Sequence, residues 1–291
     1  MLDFRIHTFL CVCRHMNYTK AAAELHITQP AVSQHIRYLE NEYHAKLFDY
    51  TGKHLILTQA GHILLDAAAT IRHDDLILKE KLQELRRSTK IVSFGATHTI
   101  GEFMIVDKLA EYLRENQEVL LRLEIADTEQ LLQEIDEGKI DFAIVEGFFE
   151  QKQYETMLFS KEPLIAVCGP EFDVPDEVDL TDLLLKRLCV REHGSGSRDL
   201  LERTLAEYSL SLEDFPYRAE IGSPQTIKAL VHRNAGFSFS YEKSVRDELA
   251  AGTLRKIHVR NFTAEHSFTF LWHKGSMYGD TFRGMFEALK D

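Results

Sequence analysis

Side chains that can read the edge of a DNA base cluster within ten residues near the start of the chain. Gln29 and Gln34 carry amides, Ser33 carries a hydroxyl and Arg37 carries a guanidinium. An amide can pair bidentately with adenine and arginine with guanine, while hydroxyls contact bases or phosphates. The set therefore suits a DNA major groove, although the solvated face of any helical hairpin would look similar.

Two short helices joined by a tight turn would place these side chains on one face. Thr28 is the expected N-cap of the second helix, and Pro30 in its first turn lacks only an N–H that would have no intrahelical partner. Val32, Ile36 and Leu39 follow at i, i+4 and i+7 and would form the buried side. We therefore add Thr28 and Pro30 to the candidate DNA contacts.

Lys53 lies at the tip of a predicted β-hairpin. Residues 47–50 would pair with residues 54–57 across Thr51, Gly52 and Lys53. Glycine allows the positive φ that such a turn requires, and the lysine beside it could touch a phosphate or enter a minor groove. Next to a helix-turn-helix this hairpin would be a wing; a solvated loop lysine is the alternative.

A longer run extends the pattern. Residues 21–40 read Ala-Ala-Ala-Glu-Leu-His-Ile-Thr-Gln-Pro-Ala-Val-Ser-Gln-His-Ile-Arg-Tyr-Leu-Glu, and Leu47-Phe48, Gly52 and Leu57-Thr58-Gln59-Ala60-Gly61 follow. Together they resemble the winged helix-turn-helix of LysR-type transcriptional regulators. The resemblance implies a DNA-binding domain over residues 1–58, operator DNA as a double-stranded partner, a homodimer that pairs into a homotetramer, and a small-molecule effector. It leaves contact with RNA polymerase open.

Residues 59–88 are predicted to form one long helix, capped by Thr58 and followed by a polar hinge at residues 88–90. Its apolar positions alternate spacings of four and three, which is a heptad seam that one helix cannot bury alone. The seam would hold two copies together, or would pack on its own domain. Asp75 interrupts it and could fix the register. The seam consists of Leu64, Ala68, Ile71, Asp75, Leu78, Leu82 and Leu85.

The remaining chain alternates predicted strands and helices, which is typical of an α/β sheet with parallel strands. We expect an α/β multidomain protein: the winged helix-turn-helix, the long linker helix, and an effector domain of two α/β lobes. Residues 89–161 and 266–291 would form the first lobe and residues 162–265 the second. Two lobes joined by a double crossover resemble periplasmic binding proteins and the effector domain of LysR-type regulators.

The cleft between such lobes is the expected ligand site, because α/β sheets bind ligands at the carboxyl ends of strands near helix N-termini. The hydroxyls there suggest a small anion such as a carboxylate or an inorganic oxyanion, which Glu146 and Glu192 oppose. Four basic residues close by in sequence support the anion: His98, Arg191, His193 and Arg198. Ordinary helix capping would explain any one of these stretches alone. The candidate effector-binding residues are Thr97, His98, Thr99, Gly147, Ser195, Gly196, Ser197, Ser223, Gln225 and Thr226.

The net charge of −12 belongs to the effector region. Residues 1–58 hold six Lys and Arg against five Asp and Glu, while the rest of the chain holds 28 against 41. A head with a balance of +1 should bind random DNA weakly. The four cysteines lack the spacing of a metal site or a disulfide framework, so we expect buried thiols in a reducing cytoplasm.

Other classes of protein fit the sequence less well. Gly194-Ser195-Gly196 is not the G-x-S-x-G elbow of a hydrolase, and no phosphate-binding glycine motif occurs, so we expect neither catalytic residues nor a cofactor. A solute-binding protein would explain two lobes but not the helix-turn-helix. The sequence shows neither a signal peptide nor a membrane span, so a cytoplasmic protein without membrane contact is expected.

Overall fold

The computed structural model describes residues 3–87 and 90–290, and the side chains of residues 83–87 lie outside the description. The predicted hinge at residues 88 and 89 also lies outside it. The N-terminal head has three helices and a hairpin around one apolar core that includes Phe9, Val32 and Ile36. Its elements are α1 (Phe4–His15), α2 (Tyr18–Glu24), α3 (Gln29–Glu42), β1 (Phe48–Thr51) and β2 (His54–Leu57).

The helix-turn-helix forms as its sequence predicts. The Asn17 side chain accepts the N–H groups of Thr19 and Lys20 at the start of α2. Thr28 caps α3, and Val32, Ile36 and Leu39 are buried. These caps satisfy backbone donors that the first turn of a helix leaves unpaired, so each helix begins where its cap residue stands.

The hairpin differs from the prediction in its turn. Thr51 pairs with His54, so the loop has two residues rather than three. Gly52 has φ +64°, a conformation that two-residue hairpins favour and that residues with a Cβ rarely adopt.

The linker helix α4 (Gln59–Arg87) divides its seam between two environments. Thr58 accepts the N–H of Gly61 at 3.0 Å and so caps the helix. Ala68 is buried in the core of the head, with Leu64 packed against it. Ile71, Leu78 and Leu82 are 53%, 45% and 55% exposed, so that part of the predicted seam is open. Asp75 forms an ion pair with Lys79 at 2.5 Å, and the side chain of Leu85 lies outside the description.

The first lobe contains the parallel strands that the sequence predicts, next to antiparallel ones. Strand β3 (Lys90–Ala96) pairs in parallel with β4 (Val119–Ile125) and β5 (Phe142–Val145), and β12 (Glu265–His273) then pairs antiparallel with β5. Phe94, Phe142 and Phe270 stack through the core with ring centroids 4.9 and 4.7 Å apart. The elements are β3 (Lys90–Ala96), α5 (Val106–Glu115), β4 (Val119–Ile125), α6 (Thr128–Glu137), β5 (Phe142–Val145), β12 (Glu265–His273) and α10 (Gly279–Leu289), with a π-helical turn at Ile100–Met104.

The second lobe is built around the C-terminal part of strand β6 (Tyr154–Cys168). Strand β10 (Phe237–Tyr241) pairs antiparallel with β6 and in parallel with β8 (Leu188–Arg191). This arrangement brings the carboxyl ends of β8 and β10 to the same edge of the sheet. The elements are β6 (Tyr154–Cys168), β7 (Glu177–Val178), β8 (Leu188–Arg191), α7 (Gly196–Glu207), β9 (Arg218–Ile221), α8 (Pro224–His232), β10 (Phe237–Tyr241), α9 (Arg246–Ala250) and β11 (Arg255–Val259), with short 3₁₀ turns between them.

Strands β6 and β12 cross between the lobes, which confirms the two-lobed architecture. They pair antiparallel along residues 154–163 and 265–273, so both pass through the connection. Strand β6 begins at Tyr154, well before its continuous apolar run at Leu164–Cys168. Pro163 and three interspersed charged residues make the first ten residues of β6 difficult to recognise as a strand from the sequence. Among the described helices, none combines the length and apolar character that crossing a membrane requires.

Candidate DNA-binding surface and effector cleft

The candidate reading face of α3 is exposed. Gln29, Pro30, Gln34 and Arg37 are exposed, and Ser33 is half-buried. The Gln29 amide donates to Ser33 Oγ at 2.9 Å, which orients both groups on the same face. Side chains that project from a helix whose opposite side is anchored in a core can enter a groove without unfolding.

Two further basic side chains of the head are relevant to DNA binding, one at the hairpin tip and one in contact with α3. Lys53 is exposed at the hairpin tip, as the sequence predicts for a wing. The guanidinium of Arg5 lies 3.7 Å from the ring centroid of Tyr38 on α3, a contact that the sequence reading missed. Because Arg5 and Tyr38 are 33 positions apart in the sequence, no local spacing pattern joins them.

A polar cluster joins α1 to α2 on the head. Atoms of Cys11, His15 and Glu24 lie within 4.8 Å of one another and could in principle ligate a metal. The Glu24 carboxylate already accepts Arg14 at 2.9 Å and His15 at 2.6 Å, and burial beside Glu24 raises the pKa of the Cys11 thiol to about 11. This cluster is accounted for as an ion pair over a buried thiol. The absence of a metal site remains a prediction.

The cleft brings together residues from both lobes. Thr97 Oγ1 accepts the N–H of Glu146 at 3.3 Å in the first lobe. From the second lobe, Gly196 lies so close that a methyl group placed on it would be 2.8 Å from Glu146 Cγ. Glycine at this position therefore allows the start of α7 to touch the end of β5.

A small cavity of about 30 Å³ lies next to this junction; its lining includes Ser197, which follows Gly196, but neither Gly196 nor Glu146. Of the ten residues expected to contact an effector, Thr99 and Ser197 line it. Thr97, Gly147, Ser195 and Gly196 lie beside it around Glu146. Arg191, Lys228 and Tyr241 also line the cavity, with Pro224, Ile227, Ser238, Phe239, Ser240 and Ser244.

The other predicted contacts have different surroundings. His98 Nδ1 lies 3.0 Å from Glu102 in the same turn. Ser223 accepts the N–H of Thr226 and so caps α8, while Gln225 and Thr226 are exposed. The cavity instead meets α8 at Pro224, Ile227 and Lys228. Effector contact by His98, Ser223, Gln225 and Thr226 therefore stays a prediction without support from this arrangement.

The sequence reading missed Tyr241 and Lys228. Tyr241 ends β10, and the rule that ligands lie at the carboxyl ends of strands could have identified it. Its hydroxyl lies 3.1 Å from His266 Nδ1, and burial next to Glu146 raises its pKa well above the usual range. Lys228 has no such signal, because its placement depends on how α8 packs.

A much larger cavity lies elsewhere. About 720 Å³ opens between the head and the first lobe, with Arg14 and Ile63 on one side and Glu137 and Lys274 on the other. It has none of the strand ends that converge in the cleft. We therefore attribute it to the junction between the two domains.

The comparisons with known proteins agree with this architecture. The model for the bacterial regulatory helix-turn-helix protein of the lysR family matches residues 5–62, and the model for the LysR substrate binding domain matches residues 86–291. The RuBisCO operon transcriptional regulator of Allochromatium vinosum is 27% identical over 277 residues, which cover 93% of this chain and 89% of that protein.

Two solved structures share the fold. Full-length LysG from Corynebacterium glutamicum with bound effector Arg superposes with a TM-score of 0.62 at 17% identity, covering 99% of this chain and 98% of that one. The CcmR regulatory domain of Synechocystis PCC6803 in complex with 2-PG gives 0.59 at 18% identity, covering 70% of this chain and 98% of that one.

Proposed function

Since this chain belongs to the LysR family of transcriptional regulators, we propose that two copies read one operator under the control of a small molecule bound between the lobes. It is a DNA-binding regulator with an effector-binding domain. The finer steps, which are the base contacts, the pairing of copies and the place of the effector, are our proposal. Action is by binding rather than catalysis, in the cytoplasm, with no cofactor.

The observation that carries this proposal is the combination of an exposed α3 face with an open part of the α4 seam. A head with a charge balance of only +1 gains little from phosphate attraction. Two heads held together bind far more tightly, because the second contact becomes intramolecular. Each copy would place Gln29, Ser33, Gln34 and Arg37 in one major groove, with the two grooves one helical turn or a multiple apart.

The exposed apolar stripe of Ile71, Leu78 and Leu82 supports the pairing of two copies. A heptad-spaced stripe is stabilised when a second helix covers it. Pairing of two dimers into a tetramer, and contact with RNA polymerase, extend the proposal from the family resemblance.

The cleft would transmit the signal. An effector shifts the arrangement of the lobes, and hence of the two heads, only as far as it binds one arrangement more tightly than the other. The bound arginine of LysG and the 2-PG of the CcmR domain show that proteins of this fold hold small molecules. In this chain we place the effector at the cavity lined by Thr99, Ser197 and Arg191.

The pairing of two copies is tested by Leu78→Glu. In a dimer, the two introduced glutamates would be buried next to each other, so the variant should dissociate and bind the operator at least tenfold more weakly. Sedimentation measures the dissociation, and fluorescence anisotropy measures binding to a duplex selected from a random pool. His62→Glu, at an exposed position on the same helix, is the control and should leave both unchanged. A Leu78→Glu protein that sediments like the wild type would remove α4 from the interface.

A further inference from the structure

The charged side chains of the cleft differ in whether they already have partners of opposite charge. Arg191 donates to both carboxylate oxygens of its neighbour Glu192, each at 2.7 Å. Lys228 lies 2.6 Å from Glu248 and donates to the Ser244 carbonyl at 2.8 Å. Both cations that line the cavity are therefore already matched by carboxylates of the second lobe.

Arg198, at the start of α7, is matched in the same way. It contacts Glu202 at 2.7 Å and Glu220 at 2.8 Å. An anionic ligand would have to compete with these internal carboxylates for Arg191, Lys228 or Arg198. The cleft is thus poorly prepared for an anion, in contrast to what its hydroxyls and helix N-termini suggest from sequence.

Glu146 is the opposite case. Its side chain is 2% exposed, and its Oε2 has no hydrogen-bond donor among the residues that the structure describes. Thr99 and Tyr241 contribute hydrogen bonds to the carboxyl group, but burial outweighs them and raises its pKa. A buried polar atom without a partner costs free energy, so natural proteins rarely leave one without a purpose.

The position of Glu146 places this acceptor where both lobes meet. It follows β5 at the carboxyl end of the strand, its N–H is held by Thr97, and Gly196 of the second lobe touches it. The cavity of about 30 Å³ has room for a single small group. A larger molecule would enter only with movement of the lobes, so that occupancy and lobe arrangement are coupled.

We propose that the effector of this cleft carries a protonated amine or guanidinium that donates to Glu146, with its remaining polar groups on the hydroxyls of Thr99 and Ser197. This inference rests on the proposed binding of an effector between the lobes. It revises the anionic ligand that the sequence favours. A zwitterion such as an amino acid satisfies it, whereas an anion without an N–H donor does not.

The test uses full-length protein and two sets of small molecules. The amine set is L-arginine, L-lysine, 4-aminobutyrate and 1,4-diaminobutane; the anionic set, without an N–H donor, is succinate, glutarate, sulfate and phosphate. Thermal shift and calorimetry should find binding in the first set alone. In Glu146→Gln that binding should weaken at least tenfold, whereas Glu150→Gln, which removes an exposed carboxylate of the first lobe paired with Lys152, should retain it within threefold.

If Glu146→Gln folds poorly, the same binding measurements on Glu146→Asp provide a second test. It keeps the charge and should keep the preference for amines with reduced affinity. Binding of the anionic set, binding of amines that is unchanged in Glu146→Gln, or no binding in either set would each overturn the inference. The same samples separate it from the proposed function: if an anion binds and changes DNA affinity, effector control stands and the amine assignment fails.

Discussion

The N-terminal head and the effector cleft differ in how they place their functional side chains. The head keeps its functional side chains exposed on one helix, and a separate apolar core holds that helix. The cleft assembles Thr99, Glu146 and Arg191 from distant parts of the chain and buries all three. A surface that binds a fixed partner such as DNA can be rigid and exposed. A site that must respond to a ligand gains sensitivity from buried groups that the ligand completes.

The largest expected effect is a loss of stability in the head that leaves the stability of the lobes unchanged. Ile36 lies on the buried side of α3 and is 2% exposed. Ile36→Ala should therefore lower the free energy of unfolding of the head by about 2–5 kcal/mol, through lost packing and a cavity. Urea denaturation should show this loss, and operator binding should fall with it. The lobes have their own core, so their unfolding should not change.

Asn41→Ala, at an exposed position of the same helix, is the matched control and should change stability by no more than about 0.5 kcal/mol. A loss below about 1 kcal/mol for Ile36→Ala would show that the core of the head does not hold the reading helix.

The next effect addresses the contact between lobes. In Gly196→Ala, the added methyl group would lie 2.8 Å from Glu146 Cγ and 3.2 Å from its backbone carbonyl. Because the backbone cannot move aside cheaply, we expect a destabilisation of the effector domain of about 1–3 kcal/mol in urea.

Gly222→Ala is the matched control, since its methyl group would meet no atom closer than 3.9 Å. It should be neutral or slightly stabilising, because alanine lowers the entropy of the unfolded chain. Equal stability of the two variants would mean that the lobes do not touch at Gly196 in solution.

The smallest effect concerns the wing. Lys53→Ala should weaken binding to every duplex by a similar factor, and the slope of log K against log salt should decrease by about 0.9 for one lost phosphate contact. Lys152→Ala, an exposed lysine of the first lobe, should leave the slope unchanged. A loss confined to the selected duplex would instead assign Lys53 to base recognition.

The two regions also differ in how much of them the sequence can predict. Thr28 as a cap and the buried stripe of Val32, Ile36 and Leu39 follow from spacings within one helix. The family resemblance predicts the two lobes as well. Tyr241 and Lys228 reach the cavity only because β10 lies beside β8 and α8 packs on that edge, which no local pattern specifies.

The ligand chemistry depends on pairing, which the sequence does not show. Hydroxyls and helix N-termini in the sequence favour an anionic ligand. In the structure, however, Arg191 and Lys228 already form ion pairs with Glu192 and Glu248. The unpaired oxygen of Glu146 becomes visible only when every neighbour has been placed.

The most direct test of base reading by α3 is the affinity of Gln34→Ala for two duplexes, one selected from a random pool and one with the same base composition in scrambled order. An amide that pairs with a base edge contributes about 1–3 kcal/mol of discrimination. Binding to the selected duplex should therefore weaken by roughly 5- to 150-fold, while binding to the scrambled duplex should change by less than about twofold. Gln117→Ala, at an exposed amide of the first lobe, should change neither. Equal losses on both duplexes would contradict the account, because Gln34 would then contact phosphate rather than a base.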